Sequence, residues 1–164
     1  MNNNDILRRL RYAFDFSDKK STNLFKAGSN SMIELSQAQF NQLICKEDDK
    51  DFKECTDQRL AAFLDGFIID RRGVREPKTG EKTLPPVERL SKNDILKKLR
   101  IALNYKEQDM LNTLKSGGSN LSKGELSAFF RKPGHKHYRQ CGNQVLRNFI
   151  KGITMEFRPT DKTE

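Results

Sequence analysis

Apolar residues recur with helical spacing along most of the chain. Between residues 93 and 103 they fall three and four positions apart, with lysine and arginine between them. This spacing places them on one face of an α-helix. Residues 4–14 follow the same pattern, and Asn4 and Asn93 are predicted to cap the two helices. No segment alternates between apolar and polar residues over a useful length, so we predict no β-sheet.

The chain contains this pattern twice. Residues 4–14 read NDILRRLRYAF, and residues 93–103 read NDILKKLRIAL. Later positions also match at a nearly constant offset, for example Cys55 with Cys141. Each copy of about 60 residues is longer than a usual solenoid repeat and has the length of a small helical domain.

Each copy is predicted to contain four helices. A glycine closes the short second helix, and a loop precedes the long fourth helix, which Asp57 or Asn143 is predicted to cap. Gly66 and Gly152 lie inside the fourth helices, where glycine costs about 1 kcal/mol relative to alanine. We therefore expect another helix to come close at these glycines. The second, third and fourth helices are predicted at about 18–26, 35–45 and 57–70 in the first copy, and at about 107–115, 121–132 and 143–156 in the second.

These elements predict an all-α fold with two tandem, pseudo-repeated four-helix units. The units are predicted to pack about a pseudo-twofold axis, and a linker rich in proline and glycine joins them. Within each unit the order of helices and turn is similar to a helix-turn-helix layout. The predicted parts are the first repeat at 1–70, the linker at 71–90, the second, basic repeat at 91–158 and a frayed tail at 159–164.

Charge is distributed unevenly between the repeats. The chain has 31 lysines and arginines and 22 acidic residues, so its net charge is +9. Residues 1–72 carry 12 basic and 12 acidic side chains, whereas residues 93–164 carry 14 and 7, an excess of 14 − 7 = +7. A basic second repeat favours a polyanionic partner.

Several classes of protein do not fit the sequence. There is no run of about 20 apolar residues and no apolar leader, so we expect a cytoplasmic protein without membrane contact. Three cysteines without paired spacing favour reduced thiols and no disulfide. Glycine-rich phosphate loops and catalytic signatures are also missing, so we expect neither an enzyme nor a small-molecule substrate or cofactor.

Three segments carry a resemblance to a known family. They are the two NDIL openings, FLDG at residues 63–66, and LSKGELSAFFRKPGHK at residues 121–136. In these the sequence is similar to the YehS-like family of bacterial proteins, a domain of unknown function, over nearly the whole chain. The resemblance implies a tandem helical unit and no particular activity.

The third helix of the second copy is a candidate for base recognition. Lys123, Ser127 and Arg131 are predicted to form one exposed row at i, i+4 and i+8, opposite the apolar face. In helix-turn-helix proteins such a row reads base edges, and lysine or arginine suits guanine. The alternative is an ordinary solvated helix face. The equivalent row of the first copy is Gln37, Asn41 and Cys45, whose amides would suit adenine.

The next segment places cations and an aromatic ring around a Pro-Gly turn. Such a combination is typical of a phosphate-binding surface with a stacking residue. The matching segment of the first copy, residues 46–54, is acidic. The two loops have different partners, or the acidic loop of one molecule meets the basic loop of another, or both are merely solvated. The candidate residues here are Arg131, Lys132, His135, Lys136, His137, Tyr138 and Arg139.

A metal site is a weaker candidate at the same place. His135, His137 and Cys141 have a spacing that could contribute zinc ligands, but paired cysteine or histidine signatures are missing. We predict no metal, and we interpret Cys55 and Cys141 as small hydrophobic residues at the start of the last helices.

The sequence thus predicts a non-enzymatic nucleic-acid-binding protein, a regulator, that binds DNA in preference to RNA. The alternative is a protein-interaction adaptor or a homodimerising module that uses the complementary loops. The predicted nucleic-acid contacts are Lys123, Ser127, Arg131, Lys132, His135, Lys136, His137, Tyr138 and Arg139.

Overall fold

The computed structural model describes residues 1–74 and 88–158, which form eight α-helices and no strand. Four helices lie in each repeat, which confirms the predicted all-α tandem fold. Residues 75–87 of the predicted linker (71–90) and the predicted frayed tail at 159–164 lie outside the described residues, and the first two residues of that linker, Arg71 and Arg72, belong to the fourth helix instead. Among these eight helices, none combines the length and apolar content needed to cross a bilayer. The helices are α1 (Asn3–Ala13), α2 (Asp18–Gly28), α3 (Gln37–Ile44), α4 (Asp57–Arg72), α5 (Lys92–Leu103), α6 (Glu107–Ser116), α7 (Lys123–Phe129) and α8 (Asn143–Phe157).

The predicted caps of α1 and α5 are wrong by two residues. Asn2 and Ser91 are the caps, and each forms a capping box with the aspartate three positions later. Asn4 and Asn93 instead lie inside the first turn, where both side chains are buried. A buried amide there is available to bind other parts of the fold.

Other helix ends also differ from the predictions. α4 and α8 are preceded by Thr56 and Gly142 as caps, one residue before the predicted positions. α3 and α7 begin after serine caps and are shorter than predicted. α7 ends at Phe129 rather than near residue 132, and Pro133 disfavours the helical conformation at Lys132.

Glycines let pairs of helices within each repeat touch through their backbones. A Cβ atom on Gly66 would lie 1.9 Å from the carbonyl oxygen of Leu24, and one on Gly152 would lie 2.0 Å from that of Thr113. α4 therefore packs directly on α2, and α8 on α6, which confirms the predicted close approach. The glycines on the other side of these contacts are Gly28 and Gly117.

Helices of each repeat pack against helices of the other, and the two repeats share one hydrophobic core. α4 of the first repeat packs against α5 of the second, and α8 of the second packs against α1 of the first. The last turns repeat this relation, because Arg72 donates to the carbonyl oxygen of Ile101 at 3.2 Å and Arg158 to that of Tyr12 at 3.0 Å. The reciprocity matches the predicted pseudo-twofold arrangement, and the buried side chains of both repeats form a single cluster.

The four helices α1, α4, α5 and α8 begin at the same end of the molecule. The Asn3 amide donates to Asp57 at 2.7 Å, so α1 and α4 start side by side. The Leu90 N–H donates to the same carboxylate at 3.0 Å, which places the start of α5 there. The Cys141 N–H donates to Asn93 at 2.8 Å and brings the start of α8 beside α5. The loops that precede α4 and α8 therefore lie at one common end.

Candidate nucleic-acid interface

A buried amide fixes the basic loop, which we define as residues 131–139. The Asn93 side chain donates to the carbonyl oxygens of Phe129 and Arg139, both at 2.9 Å, and accepts from the Cys141 N–H at 2.8 Å. The Arg139 N–H also donates to the Ala128 carbonyl oxygen at 3.1 Å. These bonds join the end of α7, the loop and the start of α8 to α5. In the first repeat, Asn4 makes the same three bonds to Leu43, Lys53 and Cys55.

Two consecutive turns shape the basic loop. The His135 N–H donates to the Lys132 carbonyl oxygen at 3.0 Å, with Gly134 at φ +91° inside the first turn. Glycine suits this position because other residues rarely adopt a positive φ. The Tyr138 N–H closes the second turn on His135 at 2.9 Å, and the His137 N–H donates to Nδ1 of His135 at 3.1 Å. The loop therefore has a defined backbone although most of its side chains are exposed.

An open cleft of about 510 Å³ lies between the basic loop and α7. Most of the predicted loop contacts meet there, and Tyr138 provides a half-buried aromatic ring in its wall. α7 contributes three residues that are not among the predicted contacts, two of which are small. The lining residues are Gly124, Glu125, Ala128, Arg131, Lys136, His137, Tyr138 and Arg139.

Glu125 is the acidic residue that lines this cleft, and its carboxylate already has partners within the protein. Its carboxylate accepts a 2.8 Å bond from the Ser122 N–H, which is the main reason that the pKa of Glu125 is lowered, and Arg139 lowers it further from 3.9 Å. Arg131 and Lys136 make no salt bridge within residues 1–74 and 88–158. The cleft thus offers two exposed cations to an anionic ligand.

The predicted recognition row on α7 is wrong. α7 has two turns and ends before Arg131, so Lys123, Ser127 and Arg131 do not form one helical row. Lys123 lies at the first residue of the helix, with its Nζ 3.8 Å from a Glu107 oxygen, and Ser127 is half-buried. Neither residue lines the cleft. The connection between α6 and α7, residues 117–122, also exceeds the three to four residues of DNA-binding helix-turn-helix motifs.

Lys132 and His135 also lie outside the cleft lining. Both are exposed in the first turn of the basic loop, and the His135 ring lies 5.7 Å from that of His137. Cys141 is buried, which raises the pKa of its thiol to about 11. Among the described residues, no three or more histidine, cysteine or acidic side chains gather in a way that could hold a metal ion.

The loop of the first repeat has hydrogen bonds that correspond to those of the basic loop. We call residues 46–54 the acidic loop. The Asp49 N–H donates to the Lys46 carbonyl oxygen at 3.0 Å, and the Phe52 N–H donates to that of Asp49 at 3.1 Å, so both turns are present. The Asp51 N–H donates to the Asp49 side chain at 2.9 Å, as His137 does to His135. The two repeats therefore present loops with corresponding hydrogen bonds and opposite charge, although their first turns differ in type, because Gly134 has a positive φ and the equivalent Asp48 does not.

The residues that hold these loops are not among those predicted from the sequence. Asn4 and Asn93 occupy equivalent positions, and both were interpreted as caps because asparagine is a common cap. The available signal was that another capping residue, Asn2 or Ser91, stands two positions earlier in each copy. The small residues Gly124 and Ala128 carry no chemical signal of a cleft.

Comparison with known proteins agrees with the repeated architecture. The family model described as "Protein of unknown function (DUF1456)" matches residues 3–73 and again residues 92–158. The "Uncharacterized protein YehS" of Escherichia coli (strain K12) is 36% identical over 153 residues, which cover 93% of this chain and 94% of that protein. No solved structure matches the chain. Two matches to one family model, in step with the two four-helix repeats, confirm the YehS-like resemblance and make the chain a member of the DUF1456 family.

Proposed function

We propose that this protein is a non-enzymatic nucleic-acid-binding protein with a regulatory role, and that it binds through the basic loop. The observation that carries the proposal is the convergence of Arg131, Lys136 and Arg139 around the cleft, beside the half-buried Tyr138. Guanidinium and ammonium groups bind phosphate oxygens, and an aromatic ring can stack on an unpaired base.

The basic loop is also pre-organised for this purpose. Its backbone is fixed by the Asn93 amide and by two turns, so little order has to be gained on binding. α7 supports the cleft from one side through Gly124, which has no side chain, and Ala128, which has only a methyl group, and both leave space for a ligand. The contacts favoured by this arrangement are with phosphate and with stacked bases, so α7 is a support rather than a reading helix.

Binding to labelled DNA tests the proposal. We expect fluorescence anisotropy to show binding of single-stranded or duplex DNA at about 50 mM salt, with an affinity that falls at least tenfold at about 200 mM. The double substitution Arg131→Ala and Lys136→Ala should weaken binding at least tenfold, because two phosphate contacts are lost. RNA of the same sequence is measured in parallel.

A matched control is available on the helices. Lys19→Ala with Lys115→Ala removes the same charge from exposed residues of α2 and α6. This control should bind within about twofold of the unmodified protein, since its lysines lie outside the cleft. An equal loss in the control, or no binding at low salt, would exclude the proposed role of the basic loop.

A further inference from the structure

We infer that two copies of this chain associate as a closed dimer in which the acidic loop of each copy docks on the basic loop of the other. The partner is thus a second copy of the chain. This inference goes beyond the proposed function, although both use the basic loop.

The two loops are held by corresponding hydrogen bonds in the two repeats. Each loop has two turns closed by equivalent bonds, and the bond between Lys53 N–H and the Gln42 carbonyl oxygen (2.9 Å) corresponds to that between Arg139 and Ala128 (3.1 Å). Each loop is also held by the same buried asparagine. The acidic and basic loops therefore project from equivalent places of the two repeats.

The acidic loop and the basic loop carry complementary charge. The acidic loop carries three lysines and five acidic residues, a balance of 3 − 5 = −2. The basic loop carries four lysines and arginines and no acidic residue, a balance of +4. The charged side chains of both loops are exposed, so they are available to a partner. Complementary charge directs which surfaces meet and in which register.

The positions of the two loops allow two copies to form a closed dimer. Both loops lie at the end where α1, α4, α5 and α8 begin, and the pseudo-twofold relation places one on each side of that end. If two copies face each other at this end, a twofold axis perpendicular both to the pseudo-twofold axis and to the line between the two loops puts the acidic loop of each copy against the basic loop of the other. Such an isologous contact closes on itself and gives a dimer rather than a filament.

The strength of the association follows from its exposed charges. Single ion pairs at a surface contribute little, so several must form on both sides of the dimer. Screening weakens them, and we expect the dissociation constant to rise by about tenfold between low and high salt. Nucleic acid would compete with the acidic loop for the basic loop, because both ligands are anionic.

Exchange of charge between two variants tests the inference. The acid-reversed variant carries Glu47→Lys and Asp51→Lys, and the base-reversed variant carries Arg131→Glu and Lys136→Glu. These side chains are exposed, and none makes a salt bridge in the described part of the chain. Masses are measured by sedimentation equilibrium at low salt on nuclease-treated protein. We expect a dimer for the unmodified protein, monomers for each variant alone, and a heterodimer when the two variants are mixed.

Mixing the two variants distinguishes docking between the loops from a general effect of charge repulsion between chains. The control Lys19→Glu with Lys115→Glu carries the same charge change as the base-reversed variant but should remain dimeric, because neither residue lies in a loop. A monomeric unmodified protein, a variant that stays dimeric, or a mixture that remains monomeric would overturn the inference.

DNA binding distinguishes this inference from the proposed function. The acid-reversed variant should bind DNA at least as tightly as the unmodified protein, whereas the base-reversed variant should lose binding. If the variants form a heterodimer but no form binds DNA, only the proposed function fails. If DNA binding behaves as expected and the mixture stays monomeric, only the dimer fails.

Discussion

At the scale of single residues, the side chain with the widest effect is an uncharged amide. Asn93 is 6% exposed and Asn4 is 0% exposed, and each bonds to three backbone groups that are 36 to 51 positions away. A buried amide is stable only when its polar atoms are paired. The pairing here gives each loop its position relative to the core.

Replacement of Asn93 by alanine should therefore affect both stability and binding. We expect Asn93→Ala to lower the free energy of unfolding by about 2–4 kcal/mol, because three hydrogen bonds are lost and their backbone partners stay buried. Urea denaturation measures this change, and Asn4→Ala should behave similarly. Asn23→Ala, an exposed asparagine of α2, is the control. A loss below about 1 kcal/mol in both buried variants would contradict the assigned role.

The buried thiols predict how stability depends on pH. Burial raises the pKa of Cys55 to about 12 and that of Cys141 to about 11. An unfolded thiol ionises near pH 8.5, so the thiols contribute full stability below that pH and lose it as the pH rises toward 11. Between pH 8 and 10, the Cys55→Ala and Cys141→Ala double variant should lose less unfolding free energy than the unmodified protein. Leu43→Ala, which destabilises the core but keeps both thiols, should retain the original slope.

Residue chemistry alone could predict some of these roles. Leu126 and Phe129 have the helical spacing of a buried face, and both are buried, whereas Phe130 is half-buried with its ring centroid 4.8 Å from Cζ of Arg100. The spacing of apolar residues could not separate a capping asparagine from a buried one, because both types precede an apolar run. Burial decides between them, and burial depends on where the distant loop returns.

At the scale of elements, the close packing of the helix pairs in each repeat depends on glycine. α2 meets α4 and α6 meets α8 at backbone contact, so their positions leave no space for a side chain at the crossing. Closely packed helices of this kind cannot separate without losing the neighbouring core contacts. This arrangement also fixes the loops, since α4 and α8 follow them directly.

Alanine at these crossings should destabilise the fold strongly. In Gly66→Ala or Gly152→Ala, the new methyl group would overlap a backbone carbonyl oxygen, so we expect a loss of at least about 2–3 kcal/mol despite the better helix propensity of alanine. Gly124→Ala in α7 is the matched control, because its methyl group would meet only the Ser122 hydroxyl at 3.9 Å. Thermal unfolding should show this control as stable as the unmodified protein or more so. Similar effects in all three variants would contradict the close contact.

The division of roles between α7 and the basic loop can be tested separately. Lys136→Ala removes a cation from the cleft, whereas Lys123→Ala removes one from the start of α7 beside Glu107. We expect the first to weaken DNA binding about threefold to tenfold and the second to change it less than twofold. Equal losses of DNA affinity in the same anisotropy titration would indicate that α7 contacts DNA as a recognition helix does.

At the scale of the whole molecule, neither repeat covers its own core. α1 and α4 pack on α8 and α5 of the other repeat, and the terminal arginines Arg72 and Arg158 bond across the same boundary. The sequence showed the duplication and favoured a pseudo-twofold arrangement. It could not show that α4 lies beside α5, since equivalent residues have the same pattern in both repeats.

A single repeat should therefore not fold as a monomer. We expect the fragment of residues 1–74 to be largely unfolded or to self-associate, because the faces of α1 and α4 that pack on the second repeat would be exposed to water. Circular dichroism and light scattering at several concentrations measure this, with the full chain as control. A monomeric fragment with cooperative unfolding would show that the repeats are independent domains.

The packing of each repeat on the other affects which substitutions such a protein can accumulate. In a symmetric pair of identical chains, every substitution occurs twice, so both loops would always carry the same charge. Joining the two units in one chain removes this restriction while the shared core still requires both halves. The corresponding hydrogen bonds of the two loops and their opposite charges are the outcome that such covalent linkage permits.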